Sequence, residues 1–132
     1  MLKRIRSAYS EAYRGLPRDV WLLAIAAFIN RAGTMVIPFL ALYMTKRLGF
    51  DFGHAGILIG VYGAGSLIGT WLGGYLTDRI GALHIQITSL WLTAGTIFAL
   101  GQFESPLAIG LVLFSIGVVA EAFRPASGAF LA

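Results

Sequence analysis

The chain has 132 residues, 58% of them hydrophobic and only 12% charged, with a net charge of +4, a mean hydropathy of +0.79 and no cysteine. A soluble domain carries about twice that share of charged residues, so the composition excludes an ordinary water-soluble fold and points to a chain that lives in lipid. Without cysteine, disulfides and thiolate metal sites are excluded as well.

Residues 1–19 precede the first long apolar run. Leu2, Ile5, Tyr9, Ala12, Tyr13 and Leu16 recur at three- and four-residue steps, which predicts a short amphipathic helix lying at the membrane interface. Gly15 and Pro17 interrupt it. Pro17 then opens the next helix, where its fixed φ suits the first turn and its missing N–H is not needed, and Asp19 complements the positive end of that helix. Lys3, Arg4, Arg6, Arg14 and Arg18 stand before the first run and Arg79 between the second and third, against Lys46 and Arg47 on the opposite side. That asymmetry predicts a cytoplasmic N-terminus in a bacterial inner (plasma) membrane. Placed beside a membrane helix, the basic cluster reads as a topology signal with some attraction to anionic lipid, not as a nucleic-acid surface.

Four apolar runs follow, at about residues 20–44, 55–76, 83–103 and 107–132. At ~1.5 Å per helical residue each can cross a hydrocarbon core of about 30 Å. None alternates as a membrane strand does. Because lipid offers no partner to a free N–H or C=O, each run must be a helix, and the fold class is an all-α transmembrane bundle.

In the first run Asn30 and Arg31 lie near the middle, Thr34 is one turn on, and Pro38 can bend the helix. Arg31 has no carboxylate in its own span, so its expected partner is Glu121 of the fourth, in competition with Arg124; that pairing sets the first and fourth helices around a polar interior. The connectors "TKRLGFDFGH" and "FESP" have no room for a domain, and Asp51 and Glu104 read as solvated connector charges. The second run carries Gly65, Gly69 and Gly73 at four-residue steps, with Gly56, Gly60 and Ala64 as a second small ladder, the pattern of tight helix packing. Tyr62 and Ser66, like Thr88, Ser89, Thr93 and Thr96 of the third run, read as packing hydroxyls. His84 sits at the membrane edge.

The stretch "GYLTDRIG" joins the second and third runs. There Asp78 can accept from backbone N–H groups at a nearby helix start, while Arg79 can bridge to a carboxylate or a lipid phosphate. In the fourth run "AEAFRPASG" places Glu121 and Arg124 three residues apart, on one helical face where they can pair. Unpaired, each charge at mid-membrane costs about 2.5–3.5 kcal/mol on insertion scales, so both must face protein or a watery cavity. Pro125 leaves the Glu121 carbonyl without its helical donor and predicts a kink beside the charges.

Two of these stretches carry a resemblance. "GYLTDRIG" resembles the signature loop between helices two and three of the major facilitator superfamily, with Gly74, Leu76, Asp78, Arg79 and Gly81 on its principal positions and Ala82, Leu83 and His84 where the family pattern has basic residues. "RPASG" resembles the same superfamily's helix-four motif. "NRAGTMVIPFLALYMTKRLGF" is also similar to the first helix of the proton-coupled oligopeptide transporters, with Arg31 carried over and Ala27 and Asn30 in place of that branch's glutamates. The resemblance implies the first four helices of a twelve-helix secondary transporter whose remaining helices belong to the same polypeptide. It further implies alternating access for small organic solutes, as proton-coupled antiporter or symporter. In that reading Asn30, Arg31, Thr34, Glu121 and Arg124 line the substrate and proton cavity. Gly74, Asp78, Arg79 and Gly81 form the gating loop, Pro38 and Pro125 the kinks, and Gly65, Gly69 and Gly73 the close packing.

No glycine-rich phosphate loop, no histidine pair at metal spacing and no nucleophile near a base is present, so no enzyme, metal or cofactor is expected. Two other readings of the same sequence are a non-transporting four-helix membrane interaction protein and a small four-helix transporter acting as a dimer.

Overall fold

The computed structural model describes residues 17–131; the amphipathic segment expected over residues 1–19 lies outside them up to residue 16. Five helices follow in order, α1 (Arg18–Thr34), α2 (Val36–Lys46), α3 (Phe52–Ile80), α4 (Ala82–Leu100) and α5 (Pro106–Leu131). Among the described residues there is no strand. Four stretches are long and apolar enough to cross a membrane: Arg18–Lys46, Phe52–Ile80, Ala82–Leu100 and Pro106–Ala129.

The first of these spans is divided. At Met35 (φ −63°, ψ −15°) the N–H is shared between the helical acceptor Arg31 O and Ala32 O, both at 3.2 Å. Pro38, one turn further on, has no N–H to give the Thr34 carbonyl. The two halves are anchored differently. In α2, Ile37, Leu40 and Met44 are buried in an apolar cluster with Ala55 and Leu58 of α3, Leu100 of α4 and Ile109, Leu113 and Ile116 of α5. In α1 only Leu23 is buried.

The second span is longer than the sequence suggested. At 29 residues, α3 extends for roughly 43 Å, longer than a hydrocarbon core of about 30 Å, and "GYLTDRI" is its helical end and not a loop. The connector to α4 is Gly81 alone, at φ 95° and ψ 146°, a conformation that a Cβ opposes. Its N–H closes α3 by donating to Thr77 O at 3.0 Å.

Glycines set the closest contact. A Cβ built on Gly69 would lie 2.7 Å from Val118 Cα, one on Gly73 2.6 Å from Ala122 Cα, and one on Gly65 3.2 Å from Phe114 Cα. The offset is constant (114 − 65 = 118 − 69 = 122 − 73 = 49), so α3 and α5 run parallel and in register, with α4 returning the chain between them. Gly117 completes the seam from the other side, where a Cβ would stand 2.9 Å from Ser66 N. The second ladder behaves differently: Gly56 and Gly60 have nothing within 4 Å and Ala64 is exposed. The two rows lie on different sides of α3, and α5 occupies one of them.

At the start of α3, Asp51 caps the helix by accepting from the His54 N–H at 3.1 Å, and its Oδ1 also meets the His54 ring Nδ1. The His54 side chain first, and the His54 backbone N–H second, hold the Asp51 carboxyl below the usual carboxylate range. A depressed folded-state value means that the cap contributes above the unfolded value and is lost as pH falls through the folded one. Amide protection in the first turn of α3 is therefore expected to hold from neutrality to about pH 4 and to fall below it. Hydrogen exchange on Asp51→Ala checks this: the variant should show weak protection throughout and no acid step.

Candidate substrate and proton site

One turn of α5 gathers the polar groups. Arg124 Nε donates to Glu121 Oε2 at 3.0 Å; the Glu121 side chain is 12% exposed and that of Arg124 58%, so the carboxylate is turned inward and the guanidinium stands on the open face. From α3, the Tyr62 O–H donates to Glu121 Oε1 at 3.4 Å. From α1, Asn30 Nδ2 donates to the Ala120 carbonyl at 3.4 Å. Three helices thus meet where the fourth span carries its ion pair.

The expected Arg31–Glu121 pair does not form. Among the described residues Glu121 pairs with Arg124, and Arg31 is exposed without a carboxylate at ion-pair distance. The reason is geometric: Arg124 reaches Glu121 along its own helix, whereas Arg31 rides on the loosely held α1. Asn30 makes the α1–α5 connection instead. The Thr34 hydroxyl turns back onto its own helix, donating to Arg31 O at 3.0 Å.

Pro125 lies inside the continuous helix α5, and its missing N–H frees the Glu121 carbonyl. Gly74 lies against it: a Cβ there would stand 3.9 Å from Pro125 Cβ. Two donors from α4 brace the same stretch, Ser89 Oγ to Val119 O and the buried Gln86 Nε2 to Ala126 O at 3.2 Å. In lipid such bonds from side chain to helix backbone hold neighbours together.

Of the residues expected from the sequence to form a gating loop, Gly74 lies against Pro125, whereas among the described residues Asp78 and Arg79 make no hydrogen bond or ion pair with this cluster. Asp78 and Arg79 are both exposed. The Arg79 guanidinium lies 4.5 Å above the Tyr75 ring, which stacks on Trp71 with centroids 6.2 Å apart. Among the described residues Asp78 has no hydrogen bond or ion pair, and no group of three metal-ligating side chains occurs.

Sequence reasoning missed Gln86 and Gly117 and took Tyr62 for a packing hydroxyl. Each had a signal: a lone amide in an apolar run must find a partner, and a glycine in α5 can answer the glycine row of α3. Thr77 and Thr93 carry buried hydroxyls without a partner among the described residues.

Comparison with known proteins bears on the whole arrangement. The profile of the Major Facilitator Superfamily matches residues 21–132. The chain is 30% identical over 115 residues to YqjV of Bacillus subtilis, described as an uncharacterized MFS-type transporter, covering 84% of this chain and 27% of that protein. It is 28% identical over 113 residues to YttB of the same organism, described in the same words, covering 85% and 28%. It is 29% identical over 115 residues to the multidrug resistance protein MdtG of Erwinia billingiae, covering 83% and 28%. The chain therefore spans about a quarter of the length of the curated relatives it matches. No solved structure gives a significant match.

Proposed function

Since the chain belongs to the major facilitator superfamily, a family of membrane transporters and not of enzymes, we propose that it forms the first four helices of a secondary active transporter. That transporter exchanges small organic solutes against protons by alternating access. The observation that carries this reading is the Glu121–Arg124 pair in the last span, held by Tyr62 from α3 and flanked by Asn30 from α1. Ionisable groups at this depth mark a solute or proton path, and a carboxylate that an arginine releases on protonation is a means of coupling the two. In this reading Asn30, Arg31, Thr34, Glu121 and Arg124 line the cavity. Asp78, Arg79, Gly74 and Gly81 form the cytoplasmic gate, the N-terminus is cytoplasmic in a bacterial inner membrane, and further helices of the same polypeptide complete the twelve. The coverage of the relatives supports that last element, and the name of the MdtG relative, a multidrug resistance protein, supports drug-like organic solutes as the cargo.

Proteoliposomes test the proposal. A lipophilic dye or drug should accumulate when a pH gradient is imposed and should leak back when a protonophore collapses it. Solute movement indifferent to the gradient would rule out proton exchange.

A further inference from the structure

We infer that Tyr62 positions the Glu121 carboxyl for protonation, its phenol changing from hydrogen-bond donor to acceptor as the proton arrives. The inference rests on the reading of Glu121 as a proton site and names the residue that serves it.

Both carboxylate oxygens are engaged, and by donors of different kinds. Oε2 takes the Arg124 Nε–H at 3.0 Å and Oε1 takes the Tyr62 O–H at 3.4 Å. A carboxylate only accepts, whereas the protonated acid carries an O–H that needs an acceptor of its own. A guanidinium has no acceptor atom; a phenol oxygen donates and accepts. The proton therefore belongs on Oε1, facing Tyr62. The lengths agree: 3.4 Å exceeds the usual range for O–H···O, about 2.5–3.0 Å, while the Arg124 contact is of ordinary length, so the phenol bond is the one that yields. One proton supplied by the acidic bulk solution bonds to Oε1, the Tyr62 hydrogen turns about its C–O bond, and the phenol stays neutral. Arg124 then faces Oε2 as the carbonyl oxygen of an uncharged acid, which holds it more weakly than the carboxylate did.

The surroundings fix this geometry. Tyr62 belongs to the glycine seam, where a Cβ on Gly117 would strike the Tyr62 carbonyl oxygen. Its distance from Glu121 is thus set by the closest backbone contact in the bundle and not by the loosely held α1. The charged group in contact with the carboxyl is Arg124 of α5, while Arg31 of α1 is exposed and makes no ion pair with it. Among the described residues, the side chains of α4 that hydrogen-bond this stretch of α5 are the uncharged Ser89 and Gln86.

Infrared difference spectra of the purified protein between alkaline and acid pH provide the test. A carboxylic-acid C=O band should appear on acidification, vanish in Glu121→Gln, and move to higher frequency in Tyr62→Phe, where the acid O–H has lost its acceptor. Should Tyr62→Phe fail to fold, 3-fluorotyrosine placed at position 62 keeps the shape and weakens the acceptor, and a smaller shift in the same direction is expected. A band deleted by Glu121→Gln but unmoved by either change at position 62 overturns the role of Tyr62. A band that survives Glu121→Gln overturns the proton site beneath it.

Discussion

Gly69→Ala is expected to lower the unfolding midpoint of the purified protein in detergent, and Gly69→Leu to leave little folded protein at all, while Gly60→Ala changes almost nothing. Both positions lie on one helix of one composition, so propensity and lipid solvation are shared and only the neighbour differs. At Gly69 a single methyl carbon would stand 2.7 Å from Val118 Cα, and at Gly60 it would meet nothing within 4 Å. Backbone cannot yield as the end of a side chain does; the two helices must separate, and the flanking contacts at Gly65, Gly73 and Gly117 loosen together. Adding a methyl to such a packed site costs about 1–3 kcal/mol, and leucine carries further carbons into the same clash. At Gly60 alanine stays within about 1 kcal/mol of glycine and on the favourable side. Thermal unfolding followed by circular dichroism, with tryptophan fluorescence as a second probe, checks the contrast. Equal losses at positions 60 and 69 would mean that the seam does not hold α3 to α5.

The second large effect falls on the ion pair. Arg124→Ala leaves a mostly buried carboxylate without its cation, and Glu121→Gln leaves the guanidinium without its anion. For a fully buried pair the loss of one partner costs about 3–5 kcal/mol; here the exposed guanidinium reduces it. Transport is more sensitive than stability, because the amide that Glu121→Gln puts in place of the carboxyl can neither take up a proton nor release Arg124 in response. Proton-driven uptake in both single variants is expected to fall at least ~10-fold, the equivalent of about 1.4 kcal/mol. The double variant Glu121→Gln/Arg124→Gln should recover stability without recovering uptake, since it removes the charge imbalance and keeps the coupling group absent. Undiminished coupled uptake in both single variants would remove these residues from the site.

Helical class and membrane residence were legible in the sequence because lipid forbids the alternatives: a run of apolar residues with no water to satisfy its backbone has one solution. Pairings between helices were less so. Two small-residue rows compete on α3, and choosing between them requires knowing where Gly117 of α5 falls. Arg31 and Arg124 were both candidates for Glu121, and the outcome turns on how firmly α1 is held, a property of the whole bundle. "GYLTDRI" reads as a turn by its charges, yet charges are also what a helix presents once it has left the hydrocarbon. The donors Asn30, Ser89 and Gln86 aim at backbone carbonyls, which carry no sequence signature.

The break between α1 and α2 at Met35, with Pro38 one turn on, turns the first span from a rod into a jointed arm. Its second segment is moored among Ile37, Leu40 and Met44, whereas the first, bearing Asn30 and Arg31, buries only Leu23 and reaches the Ala120 carbonyl of α5 through the Asn30 amide at 3.4 Å. A rod would have to drag its anchored end along with any tilt. A jointed arm lets the arginine swing toward or away from Glu121 while the moored segment stays seated, with the donorless Thr34 carbonyl as the elbow.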